Sequence, residues 1–69
     1  MINIEDLIPF MKKGWVAMEE DGEWIWYSTK PVKRDCCWDR IPLTRKRSLE
    51  DMFDIAPVED WDKSLRKVE

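Results

Sequence analysis

Between residues 14 and 27 apolar side chains fill two short runs, Gly14-Trp15-Val16-Ala17-Met18 and Trp24-Ile25-Trp26-Tyr27, on either side of the acidic stretch Glu19-Glu20-Asp21-Gly22-Glu23. Two apolar runs about an Asp-Gly pair predict a β-hairpin with a two-residue turn at Asp21-Gly22. That turn sets Met18 opposite Ile25, Ala17 opposite Trp26 and Glu19 opposite Trp24. Side chains alternate across a strand, so Trp15, Ala17, Trp24 and Trp26 are expected on one face. Val16, Met18, Ile25 and Tyr27 are expected on the other. A small domain needs one apolar face for its core. The second must meet another element, a partner chain or a ligand, which makes Trp15, Trp24 and Trp26 interface candidates.

Helical spacing of Ile4, Leu7, Ile8 and Met11 predicts a helix before the hairpin. Pro9 costs about 3 kcal/mol in a helix interior and is tolerated in a first turn. With Asp6 as N-cap, the helix covers about residues 7–13 and Gly14 follows as C′; a longer, kinked helix from residue 4 is the alternative. A third strand is expected within Cys36 to Thr44, at an edge because Pro42 cannot donate to a ladder. Ser48-Leu49-Glu50-Asp51 resembles a helix start with Leu49, Met52 and Phe53 on its apolar side, while Phe53 to Ile55 could instead pair as a strand. A C-terminal helix is predicted from Pro57 at N1, acids Glu59, Asp60 and Asp62 early, and Lys63, Arg66 and Lys67 late. Val58, Trp61, Leu65 and Val68 form its apolar stripe, with Trp61 as anchor. The expected fold is α+β: one domain over residues 1–69, an antiparallel meander of about three strands, a short N-terminal helix and a C-terminal helix.

Length sharpens the core question. A chain of 69 residues buries only roughly 60% of its unfolded surface, and such domains usually carry a staple. There is no histidine, and the only cysteines are the adjacent Cys36 and Cys37. Adjacent cysteines cannot close a long loop, so a secreted disulfide framework is excluded; two reduced thiols are expected rather than a strained vicinal disulfide. The five tryptophans take the staple's place. The opening residues lack a basic n-region, and no run approaches the ~20 apolar residues of a membrane span. A soluble, cytoplasmic protein without membrane contact is expected.

Charge is unevenly spread. The net charge is −3, yet residues 30–47 carry seven Lys/Arg against two Asp, between acidic ends. The simplest role of such a segment is neutralisation within the fold or across an interface. Cysteine nucleophiles would lack a histidine base. The carboxylates at the hairpin tip are too well solvated for acid–base work. Only two glycines exist, so there is no phosphate loop. Asp35, Cys36, Cys37 and Asp39 do not match zinc spacing. No enzyme, metal or cofactor is expected. Nucleic acid is the serious alternative: Lys30, Lys33, Arg34, Arg40, Arg45, Lys46 and Arg47 surround Trp38, as in sites where bases stack and phosphates are neutralised. The acidic pI of about 4.9 opposes it.

The hairpin, Gly14-Trp15-Val16-Ala17-Met18 through Asp21-Gly22-Glu23-Trp24 and Trp26-Tyr27, resembles that of small uncharacterised proteins carried by phages, prophages and mobile elements of gut bacteria. Phe53-Asp54-Ile55-Ala56-Pro57, with Glu59-Asp60-Trp61 and Lys63-Ser64-Leu65, resembles their closing segment. The resemblance implies a bacterial or phage cytoplasm and transfers no catalytic residue. The expectation is a non-enzymatic accessory protein acting through protein–protein contacts, with a homodimer as one form of that contact. The alternative is a nucleic-acid-associated accessory protein using Lys33, Arg34, Trp38, Arg40, Arg45, Lys46 and Arg47.

Overall fold

Asn3 opens the first element by accepting the Glu5 N–H on Oδ1 (2.9 Å), which caps a helix α1 (Ile4–Leu7). The chain then tightens into a 3-10 turn, Ile8–Phe10, because Pro9 has no N–H to continue an α-helical ladder. The helix therefore starts at residue 4, capped by Asn3 instead of Asp6, and stops short of residue 13. The computed structural model of the chain describes residues 1–35, 37–39 and 44–69.

Gly14 is not a helix terminator. It begins strand β1 (Gly14–Met18), which pairs antiparallel with β2 (Trp24–Tyr27). A Cβ at Gly14 would lie 2.5 Å from the Tyr27 carbonyl oxygen and 2.7 Å from Trp26 Nε1. Only glycine fits there.

The hairpin register differs by one residue from the two-residue turn read in the sequence. Met18 pairs with Trp24, Ala17 with Ile25, Val16 with Trp26 and Trp15 with Tyr27. Glu19 N–H donates to the Glu23 carbonyl (2.8 Å) and Gly22 N–H to the Glu19 carbonyl (2.9 Å). The loop is thus Glu20-Asp21-Gly22, with Gly22 at φ +94°, the three-residue hairpin whose last residue is left-handed. A one-residue slip moves every side chain of one strand to the opposite face. Val16, Met18, Trp24 and Trp26 therefore share one face, and Trp15, Ala17, Ile25 and Tyr27 the other.

Among the described residues four more strands follow: β3 (Val32–Lys33), β4 (Trp38–Asp39), β5 (Lys46–Ser48) and β6 (Arg66–Val68). The main sheet has the order β5-β2-β1-β6, all antiparallel, and β3-β4 form a separate two-stranded hairpin. The expected third strand within residues 36–44 is thus β4, outside the main sheet, and the edge beside β2 is filled by β5 instead. Pro42 lies outside the described residues. Ser48 ends a strand and does not start a helix; Met52 and Phe53 N–H groups fold back to the Leu49 carbonyl in a turn. Ile55 then makes a parallel bridge to Ile2.

The predicted C-terminal helix is not formed. Trp61–Lys63 make a single 3-10 turn, and the chain then extends as β6 along β1. A helix of this length is marginal alone in water, whereas β6 supplies ladder partners to β1 and buries Val68 completely. Buried Ser64 fixes the transition: its Oγ accepts the Met18 N–H at 2.7 Å and donates to the Trp61 carbonyl at 2.5 Å.

Both sheet faces are covered. On the first, Val16, Met18, Trp24 and Val68 pack with Ile4, Leu49 and Ile55, and Leu7, Ile8 and Met11 close over them. Arg66 Nε pairs with Glu5 Oε1 at 2.7 Å, tying α1 to β6. On the second face, Ala17, Ile25 and Tyr27 pack with Trp38 and Leu65. Trp61 touches both layers and meets Trp38 edge-on, with centroids 6.4 Å apart. Among the described residues no helix is long and apolar enough to cross a membrane.

Candidate docking groove

The three tryptophans expected to form one surface do not share a face. Trp24 is wholly buried, its Nε1–H donating to the Ala56 carbonyl (3.2 Å), so it is core and not interface. Trp15 is half-buried on the opposite face, with the ammonium groups of Lys30 and Lys67 5.6 and 5.9 Å from its ring centroid. Trp26 is half-buried, and its Nε1–H donates to the Lys12 carbonyl (3.0 Å). Of the three, Trp26 alone lines the groove described below.

The basic constellation is divided as well. Trp38, the expected stacking platform, is 8% exposed, and its Nε1–H is taken by the Trp61 carbonyl (3.1 Å). It cannot offer a ring face to a base. Lys33 pairs with Asp62 (3.6 Å) and Arg34 with Asp39 (3.3 Å). Arg40 and Cys36 lie outside the described residues. Arg45, just before β5, and Lys46 and Arg47 within it are exposed. Because Arg47 is opposite Trp26 and Lys46 opposite Tyr27, Arg47 shares the first face of the sheet and Lys46 the second.

A cavity of about 720 Å³ opens between the N-terminal turn and β5. Its floor is Leu7, Met11, Trp26, Leu49 and Phe53. At its rim stand two apolar side chains that the fold leaves in water, Phe10 at 86% and Met52 at 65% exposure. The remaining rim is cationic: Lys12, Arg45, Lys46 and Arg47, with Thr44 beside them and no carboxylate among the lining residues. Phe10 falls outside the Ile4-Leu7-Ile8-Met11 stripe, which was the available hint that it faces away from the core. Met52, on the apolar side of the helix that the sequence predicts after Ser48, lies instead in a turn with its N–H on the Leu49 carbonyl. The groove joins segments around residues 10, 26, 46 and 52, so no local pattern announces it.

The second face holds a titratable group whose protonation is clearly displaced. Tyr27 Oη donates to Glu19 Oε1 (3.1 Å), and Glu19 Oε2 accepts the Trp38 N–H (3.4 Å). Burial first, and then the Glu19 charge, push the Tyr27 hydroxyl well above its ordinary range. It stays a neutral donor, and its role is to fasten the β3-β4 hairpin to the hairpin tip. The tip itself is a turn: Asp21 Oδ1 accepts the Glu23 N–H (3.0 Å) and Glu23 accepts the Ser48 hydroxyl (2.6 Å). Among the described residues no three His, Cys, Asp or Glu side chains are grouped to hold a metal ion. Comparison with protein-family models, curated proteins and solved structures finds no match.

Proposed function

We propose that this protein is a non-enzymatic accessory protein that acts through protein–protein contacts, with the groove beside β5 as its working surface. The setting implied by its resemblance, a phage or mobile element in a bacterial cytoplasm, is part of the same proposal. The observation that carries it is the exposure of Phe10 and Met52 at the mouth of an apolar cavity, in a fold that otherwise covers both faces of its sheet. Leaving such side chains in water forgoes roughly 1.5–3 kcal/mol of burial each. A partner that covers them recovers it.

A photoreactive phenylalanine analogue placed at Phe10, with the same group at exposed Pro57 as control, tests this in the producing cell. A discrete protein adduct from position 10 and none from position 57 is expected. Adducts to nucleic acid, or equal labelling from both positions, would refute the proposal. The nucleic-acid alternative keeps support from exposed Arg45, Lys46 and Arg47 and loses its aromatic, because Trp38 is buried.

A further inference from the structure

The groove's charge is at odds with the molecule that carries it. The chain has a net charge of −3, yet Lys12, Arg45, Lys46 and Arg47 line the cavity without one carboxylate. The other described basic residues of the middle and end of the chain are engaged: Lys33, Arg34, Lys63, Arg66 and Lys67 all form ion pairs, and Lys30 lies over Trp15. None of the four groove cations pairs with a described residue. Lys46 alternates to the second face, where it lines a shallow depression with Glu19, Glu20, Asp21 and Glu23; in so small an acidic domain, the other three cations around an apolar floor form a complementary template for negative charge next to apolar groups.

We infer that the groove takes an extended acidic segment of another protein, with apolar side chains on the floor and carboxylates on Lys12, Arg45 and Arg47. The inference rests on the docking role proposed above and names the partner's chemistry. Spacing supports an extended segment. Arg45, just before β5, and Arg47 within it are alternate residues, roughly 6–7 Å apart along an extended chain, the distance at which alternate side chains of an extended peptide recur. A single-headed amphiphile would neutralise one of these cations and leave the rest unmatched. A second copy of the chain fits poorly: a two-fold axis through the groove would set Lys12, Arg45 and Arg47 against the same three cations, and like charges across an interface are strongly disfavoured. Pairing of sheet edges meets the same obstacle, because β5 with its flank carries Arg45, Lys46 and Arg47, and β6 carries Arg66 and Lys67.

The test uses the intact chain and a displayed library of short random peptides. Selected peptides should be rich in Asp and Glu interleaved with Leu, Ile, Phe or Trp. Bound to the isotopically labelled protein, they should shift the Trp26 indole N–H resonance and leave that of Trp24 unmoved. Arg45→Glu/Arg47→Glu should weaken them by about tenfold or more and favour their lysine-substituted versions. Selection of neutral or basic peptides that still move Trp26 would overturn the acidic partner and leave the docking role standing. A fatty acid or an oligothymidylate that moves Trp26 as strongly as the best peptide would overturn the inference. With no protein adduct at position 10, the oligothymidylate result would also remove the proposed function. Failure to enrich any peptide would overturn the inference even where a protein adduct at position 10 is found. The peptide selection on the unsubstituted chain decides the matter even where the double variant fails to fold.

Discussion

Tyr27 shows how one side chain can hold two layers together. Its ring is buried among Ala17, Ile25 and Trp38, and its hydroxyl meets the Glu19 carboxylate that also receives the Trp38 N–H. Losing the hydroxyl in Tyr27→Phe removes a hydrogen bond to a charged acceptor, worth about 1.5–3 kcal/mol. The benefit depends on pH in a definite direction. The folded hydroxyl titrates above its unfolded value of about 10, so the native state holds its proton after the unfolded chain has lost it. The contribution is complete below about pH 10 and declines as pH rises above it, by up to about 1.4 kcal/mol per pH unit. Urea midpoints of the parent and Tyr27→Phe chains, measured from neutral to strongly alkaline pH, should therefore converge as pH rises. Tyr27 is the only tyrosine, so tyrosinate absorbance reports the same event directly. A constant gap would mean that the hydroxyl is not displaced.

At the scale of elements, the hairpin was legible and its register was not. Two apolar runs around Asp21-Gly22 specify a turn, but Gly22 serves equally as the second residue of a two-residue loop or the third of a three-residue one. Sequence alternation cannot choose when both faces are apolar, because either register buries greasy side chains. The structure places Glu19 opposite Glu23, and this makes a discriminating prediction. Deleting Glu20 leaves Asp21-Gly22 as a two-residue loop between the same partners, so the fold should persist with a stability change of about 1 kcal/mol or less. Under the other register the deletion would send β1 to the wrong face and unfold the protein, which thermal melting would show at once. The C-terminal segment misled for a different reason. Its charges suit a helix macrodipole and Val58, Trp61, Leu65 and Val68 keep helical spacing, whereas in the extended chain Leu65 and Val68 fall on opposite faces of the sheet and pack into different layers. Long-range pairing with β1 decided between them, and pairing across some fifty residues has no local signature. At the N-terminus the apolar stripe Ile4, Leu7, Ile8 and Met11 does face the core, but the α-helix is Ile4–Leu7 capped by Asn3, not residues 7–13 capped by Asp6.

For the whole molecule, the class α+β holds, and the second apolar face of the hairpin meets the chain's own elements: a short chain with five tryptophans spends four of these, Trp15, Trp24, Trp38 and Trp61, on its own layers. Trp26 is divided between core and groove. The candidate site was legible only in parts. Trp26, Arg45, Lys46 and Arg47 were singled out from the sequence, but in two rival groups, one apolar and one basic. Folding merges them into one groove and adds Phe10, Met52 and Lys12, which were singled out by neither. The merger is what favours a partner carrying both apolar groups and negative charge.

On the proposed function, the groove mouth is covered when the protein works. Hydroxyl-radical oxidation compares the purified protein with the protein at native abundance in its cell. Met1, Phe10 and Met52 are 87%, 86% and 65% exposed, so all three should oxidise in the purified chain, with Met1 as an internal reference for radical dose. In the cell Phe10 and Met52 should become protected while Met1 is oxidised as before. Equal oxidation of all three inside the cell and in purified form would contradict it.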